Sequence, residues 1–573
     1  MPAASASRLR LPVRVEFSTR PLLLGVRTTG PLPGKARKPR RFVVSVDRQV
    51  FLKRNVVLDP LFNHWYAWTH LISPATAALN VANHVKIMKS FLANPEVHED
   101  AAKDPQMMGG PFLDCPVDQS DRVAALLERT LVTQAKPLEL VEALKGLDAL
   151  LAKEGQGLSL ESLYARVPAP LRGYVELFYD QENRPTFRLF EALLYRSPFY
   201  NRGAQALELF ESGADGRPFM LSTPRLEDPT RLHVSLTLDS PAIDALVRAK
   251  WTATSLGTLR DSLHLTAAQV PLLDALVTDT CESRVSEPYR GEQVRVRYFG
   301  HACVLMEAGG VSVITDPIIS YDDAGGIDRY SFSDLPETLD YVLITHNHQD
   351  HAQIETLLHL RHRVKTVLVP RNDSGSLLDP SLKLTLEHLG FRNVVAVDDL
   401  QTLDIPGGSI MALPFLGEHG DLLIRAKTGY IVSMGGRSVL FAADSRNMEP
   451  EIYAHVHRWV GDVDMMFVGM ECEGAPGSWV YGPLMLRPLT RKMDQARRLN
   501  GSGFEQAASL VKQFNPRSVW VYAMAQEPWL RHVLGLAYTP ESIQIIESDR
   551  LVKHCREREL PCERLYGRSE MFL

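Results

Sequence analysis

The chain has 573 residues, 45% of them apolar, with a formal net charge of −5 and a sequence pI near 6.4. That balance excludes an overall polycation for nucleic acid, and the lack of a continuous apolar run of about 18 residues excludes a membrane-spanning helix. Six cysteines (Cys115, Cys281, Cys303, Cys472, Cys555 and Cys562) without a C-x-x-C pair exclude a zinc knuckle, a thioredoxin motif and a secreted disulfide framework, so a cytoplasmic protein with free thiols is expected.

At about 100 to 200 residues per domain the length predicts roughly two to four units. Residues 1–40 are rich in Arg, Lys and Pro and almost free of acid, and their longest apolar run, Leu22 to Val26, is too short for a signal-peptide core. They are expected to be a basic, disordered tail or the product of an upstream start site. From Arg41 the run RFVVSVDRQVFL is strand-like, and amphipathic helices mixed with extended pieces follow as far as residue 287, as in Val123 to Val132. This predicts a mixed α/β N-terminal domain over 41–287. Its aromatic cluster, Trp65, Tyr66 and Trp68 with His64 and His70, reads as core. In Ser286 to Glu292, SEPYRGE, Pro288 and Gly291 break regular structure and suit a linker.

A second domain is expected over 292–573. Strand-like runs begin at Val294, Val311, Tyr341, Thr366, Asn393, Ser409, Tyr430, Ser438, Met465 and Ser518, with helical stretches at Gln353 to His362 and Phe504 to Phe514. Such a pattern suits two sheets packed face to face under helices. A strand ending in Thr345 empties into YVLITHNHQDH, where His346, His348, Asp350 and His351 stand at H-x-H-x-D-H spacing as candidate metal ligands. Two further apolar runs stop at Gly417-Glu418-His419-Gly420 and at Asp444, and a carboxylate such as Asp444 can bind one cation through each oxygen.

The T-H-x-H-x-D-H run, Thr345 to His351, resembles the metallo-β-lactamase fold superfamily, which implies an αββα sandwich with a dinuclear site and an α+β chain overall. By that resemblance His301 and Asp316 hold the ligand loop without binding metal. Where hydrolases of the superfamily offer a histidine after glycine, this chain has Glu418 and then His419, and either could be the ligand. With Glu418 the set is His346, His348, His351, Asp350, Glu418 and Asp444, and its oxygen-rich character favours iron over zinc.

The Glu418 exchange, the spacing to Asp444 and the long N-terminal region resemble a narrower family, the dinuclear-iron β-hydroxylases of nonribosomal peptide assembly, of the chloramphenicol-pathway type. That resemblance implies an O2-dependent monooxygenase acting on an amino acid held as a thioester on a carrier domain, possible aromatic substrates including p-aminophenylalanine. It implies two irons, His346, His348 and Glu418 on one, Asp350 and His351 on the other, and Asp444 between them. No dinucleotide loop or iron–sulfur pattern is visible, so the electrons are expected from an external reductase. The alternative of the same fold is a dizinc hydrolase of an ester, thioester or phosphodiester.

Glu471 and Glu473 end another strand, and Glu471 is included with Glu418 and Asp444 as a catalytic candidate. Trp479 and Tyr481 in GSWVYGP suit a loop over an apolar substrate. Arg487, Arg491, Lys492, Arg497 and Arg498 form a basic run suited to an acidic carrier surface. For the N-terminal domain, carrier docking or formation of a homodimer is expected.

Overall fold

A computed structural model describes residues 48–104, 107, 110–213, 215–322, 326–535 and 537–573. The basic tail and the start of the strand-like run at Arg41 lie outside the described residues.

The fully buried strand Val56–Phe62 nucleates the N-terminal region, pairing antiparallel with Trp65–Tyr66 and with Gln205–Glu211, which in turn pairs with Leu232–Val234. Helix Pro74–Ala93 begins with Pro at its first position, where a missing N–H costs nothing, and packs on helices Ser120–Thr133 and Ala135–Glu154. The helix expected at Val123 to Val132 is the middle of Ser120–Thr133. Trp65, Tyr66, Trp68 and His70 are buried, as read from the sequence, whereas His64 is half-buried and stacks on His233. Ser286 to Glu292 carries no helix or strand beyond a single bridge from Ser286 to Pro336.

Two seven-stranded sheets follow. In the first the order is Val394–Val397, Val364–Pro370, Leu339–Leu343, Val311–Thr315, Cys303–Ala308, Arg295–Gly300 and Ser569–Phe572. In the second it is Thr402–Ile405, Gly408–Leu413, Gly429–Met434, Arg437–Phe441, Met465–Gly469, Ser518–Tyr522 and Cys562–Arg564. Alternation decides which residues meet: Tyr298, Val304, Met306 and Val313 face Ile410, Val432, Phe441 and Phe467 in the central layer. The outer face of the second sheet is covered by helices Pro450–Val460, Phe504–Phe514 and Ile543–Arg556. On the first sheet, Phe299, Leu305, Ile314 and Val342 belong to the same apolar core as the N-terminal region. The expected αββα sandwich is therefore present, and the N-terminal region packs on it.

Strand Cys303–Ala308 was not among the expected strands. All six residues are buried, which erases the alternation that would betray it. The strand before the metal-ligand loop ends at Leu343 and not at Thr345. The Ile344 N–H still reaches Leu368 O at 3.0 Å, but the Thr345 N–H turns instead to the Asp316 carboxylate at 2.7 Å.

Candidate metal centre

Five strand ends meet at one edge of the sandwich. The loop after Leu339–Leu343 brings His346, His348, Asp350 and His351; the turn after Gly408–Leu413 brings Glu418 and His419; Arg437–Phe441 leads to Asp444 and Met465–Gly469 to Glu471. The fifth, Val311–Thr315, delivers Asp316. Several of these turns use left-handed backbone at residues other than glycine: His301 (φ 52°), Asp316 (33°), Glu418 (65°) and Ala443 (48°). Each costs on the order of 1 kcal/mol or more and is held by its surroundings. The Ala443 N–H, for instance, donates to the Tyr522 hydroxyl at 3.0 Å.

The three loop imidazoles and the carboxylates converge. His348 Nδ1 lies 3.0 Å from Glu418 Oε1, and His351 Nε2 lies 2.9 Å from Asp444 Oδ2 and 3.5 Å from Asp350 Oδ2. His346 Nε2 stands between the two halves, 3.9 Å from Glu418 Oε2 and 3.8 Å from Asp444 Oδ2. Donor atoms group as His346, His348, Glu418 and His419; as His346, His351 and Asp444; and as His301, Asp350 and His351. All of these residues are buried.

The second nitrogen of each ring is fixed. Asp316 accepts from the Thr345 N–H (2.7 Å) and hydroxyl (2.6 Å) and from His351 Nδ1 (2.8 Å), so His351 turns Nε2 to the centre. His348 Nε2 is 2.9 Å from the Tyr481 hydroxyl, and His301 Nε2 is 3.0 Å from Asp350 Oδ2. His301 and Asp316 thus hold the loop from behind. His419 donates its Nδ1–H to the carbonyl two residues earlier, Gly417 O, at 3.0 Å.

The residues fit a pair of cations on two grounds. His346 Nε2, His351 Nε2, His419 Nε2, Glu418 Oε2 and Asp444 Oδ1 are buried with no hydrogen-bond partner, an arrangement too costly to keep unless something else satisfies them. The carboxylates also crowd one another. Burial pushes the Glu418 carboxyl up to about 7 against the pull of His348. Burial, together with Asp444, Asp350 and Glu418, lifts Glu471 well above the usual range. Burial and the neighbouring rings hold His346 well below its ordinary value and so neutral. On His351 burial opposes charge, yet Asp444, Asp350 and Asp316 outweigh it and raise the imidazole. Cations inside the cluster would relieve this frustration.

The remaining candidates divide. Glu471 shares the enclosure with the carboxylates, whereas Glu473 is exposed. Of the basic run, Arg491 and Lys492 are exposed, but Arg497 donates Nε to Gly420 O and Arg498 to Gly474 O, each at 2.8 Å. Arg497 therefore braces the Glu418 turn through Nε, a role the sequence reading did not foresee. Tyr481 was expected only as part of an apolar loop; its contact with His348 had no signal in the sequence. The same is true of Thr69, whose hydroxyl reaches Asn347 O at 3.5 Å.

Comparison with known proteins identifies the family. A family model described as the diiron non-heme beta-hydroxylase N-terminal domain matches residues 51–281, and one described as a beta-lactamase superfamily domain matches 295–470. The chain is 41% identical over 529 residues to the 4-amino-L-phenylalanyl-[CmlP-peptidyl-carrier-protein] 3-hydroxylase of Streptomyces venezuelae, covering 91% of this chain and 99% of that protein. The crystal structure of CmlA, a diiron beta-hydroxylase from Streptomyces venezuelae, superposes with a TM-score of 0.86 at 40% identity, over 92% of this chain and 100% of that one. A metal-dependent hydrolase of Saccharolobus solfataricus is 27% identical over 151 residues, 26% of this chain and 61% of its own length.

Proposed function

The chain belongs to the diiron non-heme β-hydroxylase family, and on that premise we propose that it hydroxylates the β-carbon of an amino acid carried as a thioester on a peptidyl carrier domain. An aromatic amino acid such as p-aminophenylalanine is the substrate the similarity favours. A pair of irons at such a site supplies dioxygen activation, one oxygen atom entering the Cβ–H bond and the other leaving as water with two electrons and two protons.

The chain's own residues provide the frame. His346 Nε2, His348 Nδ1 and Glu418 would hold one iron, Asp350 and His351 Nε2 the other, and Asp444 would lie between them. Glu418 supplies an oxygen ligand where hydrolases of the fold supply nitrogen, which suits the harder, more highly charged metal. Tyr481 and Asp316 fix the rings of His348 and His351, so that neither turns as the charge at the centre changes. Glu471, just past the end of strand Met465–Gly469, would face the pair or its substrate. Water exclusion comes from burial of every donor residue.

No helix of the described residues is long and apolar enough to cross a membrane. With the carrier as partner, a cytoplasmic location and a reductase supplying the electrons complete the reading. We divide the chain into an N-terminal domain over 41–287 and a catalytic domain over 292–573; the family matches, 51–281 and 295–470, fall inside those bounds. Self-association as a homodimer through the N-terminal domain belongs to the same proposal.

The observation that carries this reading is the placement of the Glu418 carboxylate beside His348, with its second oxygen unpartnered towards His346. Protein purified without added metal should contain two irons per chain. Supplied with reductant and dioxygen, it should add one oxygen atom to a carrier-bound amino acid, read by intact-protein mass spectrometry. Two zinc ions with hydrolysis of the thioester would refute it.

A further inference from the structure

A cavity of about 570 Å3 lies between helix Pro74–Ala93 and the segment Ser478–Asp494, inside the size range of about 300 to 1,000 Å3 typical of small-molecule sites. Trp65, Trp68 and Ile87 form its walls on the N-terminal side, and Trp479, Pro483 and Met485 on the other. Asn80 and Asn83 add amide groups to the apolar lining.

Two cations contribute from opposite walls, Lys86 and Arg491. Both are exposed, and neither has a carboxylate partner among the described residues. The acid that also lines the cavity, Asp494, is already engaged: its two oxygens accept from the Ser478 N–H at 2.9 Å and the Ser478 hydroxyl at 2.7 Å. With two cations against one acid, the lining keeps a net positive charge for an anionic ligand.

On its other side the cavity wall adjoins the metal loop. Between its lining residues Trp479 and Gly482 stands Tyr481, whose hydroxyl is 2.9 Å from His348 Nε2. From the opposite wall, next to Trp68, the His70 ring lies 6.2 Å from the Tyr481 ring. One pocket thus combines an unpaired cationic pair, an apolar wall with amides, and a boundary residue bonded to a candidate metal ligand.

We propose that this cavity receives the phosphopantetheine arm of the carrier, with Lys86 and Arg491 on its phosphodiester and the Trp65–Trp479 walls along the pantetheine chain. The arm's chemistry matches in order: an anion, a branched apolar segment, two amides and a terminal thioester. Tyr481 is then the side chain the thioester must pass to approach the metal pair. The inference rests on the function proposed above.

The test uses the full-length, iron-loaded protein and free 4′-phosphopantetheine as probe, with binding measured by calorimetry and turnover on an aminoacyl-carrier measured separately. The parent should bind the probe. Lys86→Glu combined with Arg491→Glu should weaken that binding at least tenfold and raise the KM for the aminoacyl-carrier by a similar factor, with two irons retained per chain. Met485→Trp, which fills the cavity without touching its charge, should weaken probe binding as well. A parent that does not bind the probe overturns the proposal. So does a doubly reversed variant whose KM rises while its probe binding is unchanged, since the cations would then serve only the carrier surface. A parent that binds phosphopantetheine through these residues yet hydroxylates no carrier-borne amino acid supports the cavity assignment and refutes the function.

Discussion

Asp316→Asn separates the role of holding a ligand from the role of being one. The side chain is fully buried and nearly the same shape as its replacement, so the packing is preserved. In the parent, Asp316 accepts three hydrogen bonds, from the Thr345 N–H, the Thr345 hydroxyl and His351 Nδ1–H. An asparagine must keep its carbonyl oxygen on the Thr345 N–H, which leaves its NH2 facing His351 Nδ1, 2.8 Å away in the parent. Two donors cannot share that contact, so His351 takes the other tautomer, with Nδ1 accepting and the proton on Nε2. That proton then occupies the Nε2 position, 2.9 Å from Asp444 Oδ2, and the lone pair needed for metal is gone. Loss of an outer partner of this kind costs about 10- to 100-fold in metal affinity, or about 1.4 to 2.7 kcal/mol. Stability should change little, because burial already raises the Asp316 carboxyl above its ordinary value and the substitution removes a poorly solvated charge. Anaerobic titration of metal-free protein with ferrous ion should show one of two sites weakened by that factor, with the melting temperature near that of the parent. Two sites of parental affinity would refute the tautomer argument.

Glu418→His should fold, since histidine tolerates the left-handed φ of 65° at this position, but should lose hydroxylation; retained oxygen insertion into the carrier-bound amino acid would show that Glu418 is not a ligand. In Gly469→Ala the new Cβ would stand 2.5 Å from Ala443 O and 2.7 Å from Asp444 Oδ1, so the Asp444 turn must shift at a cost of about 1 to 3 kcal/mol. Metal analysis should then find fewer than two irons per chain, and a full complement with parental turnover would contradict it. Glu191, which belongs to none of the candidate metal groups, offers a test of pH-linked stability. Burial pushes its carboxyl up to about 7 from an unfolded value near 4.5, so the folded state binds the proton more tightly and stability falls as pH rises between those values. The loss approaches about 3 kcal/mol above pH 7. Glu191→Gln keeps an acceptor for the Ser381 N–H, at 2.9 Å in the parent. It should raise the melting temperature at pH 8 and leave it unchanged at pH 4; equal gains at both would refute the sign.

The sequence made the metal edge legible because most of its donors are local or sit where a strand stops. His346, His348, Asp350 and His351 fall within six consecutive positions, and Glu418 and Asp444 each terminate an apolar run. The groups that orient them were less visible. Tyr481 meets His348 across 133 residues, and Arg497 reaches Gly420 O across 77. Such pairings leave no periodic trace, so Arg497 looked like one more cation in a basic run. His419 illustrates what spacing leaves open: one backbone position from Glu418, it too is buried and its Nε2 is unpartnered. Spacing alone does not rank the two, and the structure brings both to the same group of donors with His346 and His348.

The N-terminal region was read from the sequence as a unit apart, and helix Ile354–Leu360 argues that it helps to hold the metal loop. This helix begins three residues after His351, and all seven of its residues are buried. Its Glu355 carboxylate accepts from the Tyr66 hydroxyl at 2.7 Å, the Tyr321 hydroxyl at 2.8 Å and the Arg217 guanidinium at 2.7 and 3.1 Å. Arg217 also binds Asp59, which Arg225 reaches at 3.2 Å, so one charged network runs from strand Val56–Phe62 to the helix behind the ligands. Removing one member would strand a buried charge, at a cost of about 3 to 5 kcal/mol. A catalytic half lacking residues 41–287 would expose Glu355 and the apolar face it anchors, together with the N-terminal half of the cavity beside Tyr481. The dinuclear site is thus built by the sandwich edge but kept in register by residues about 290 positions earlier in the chain.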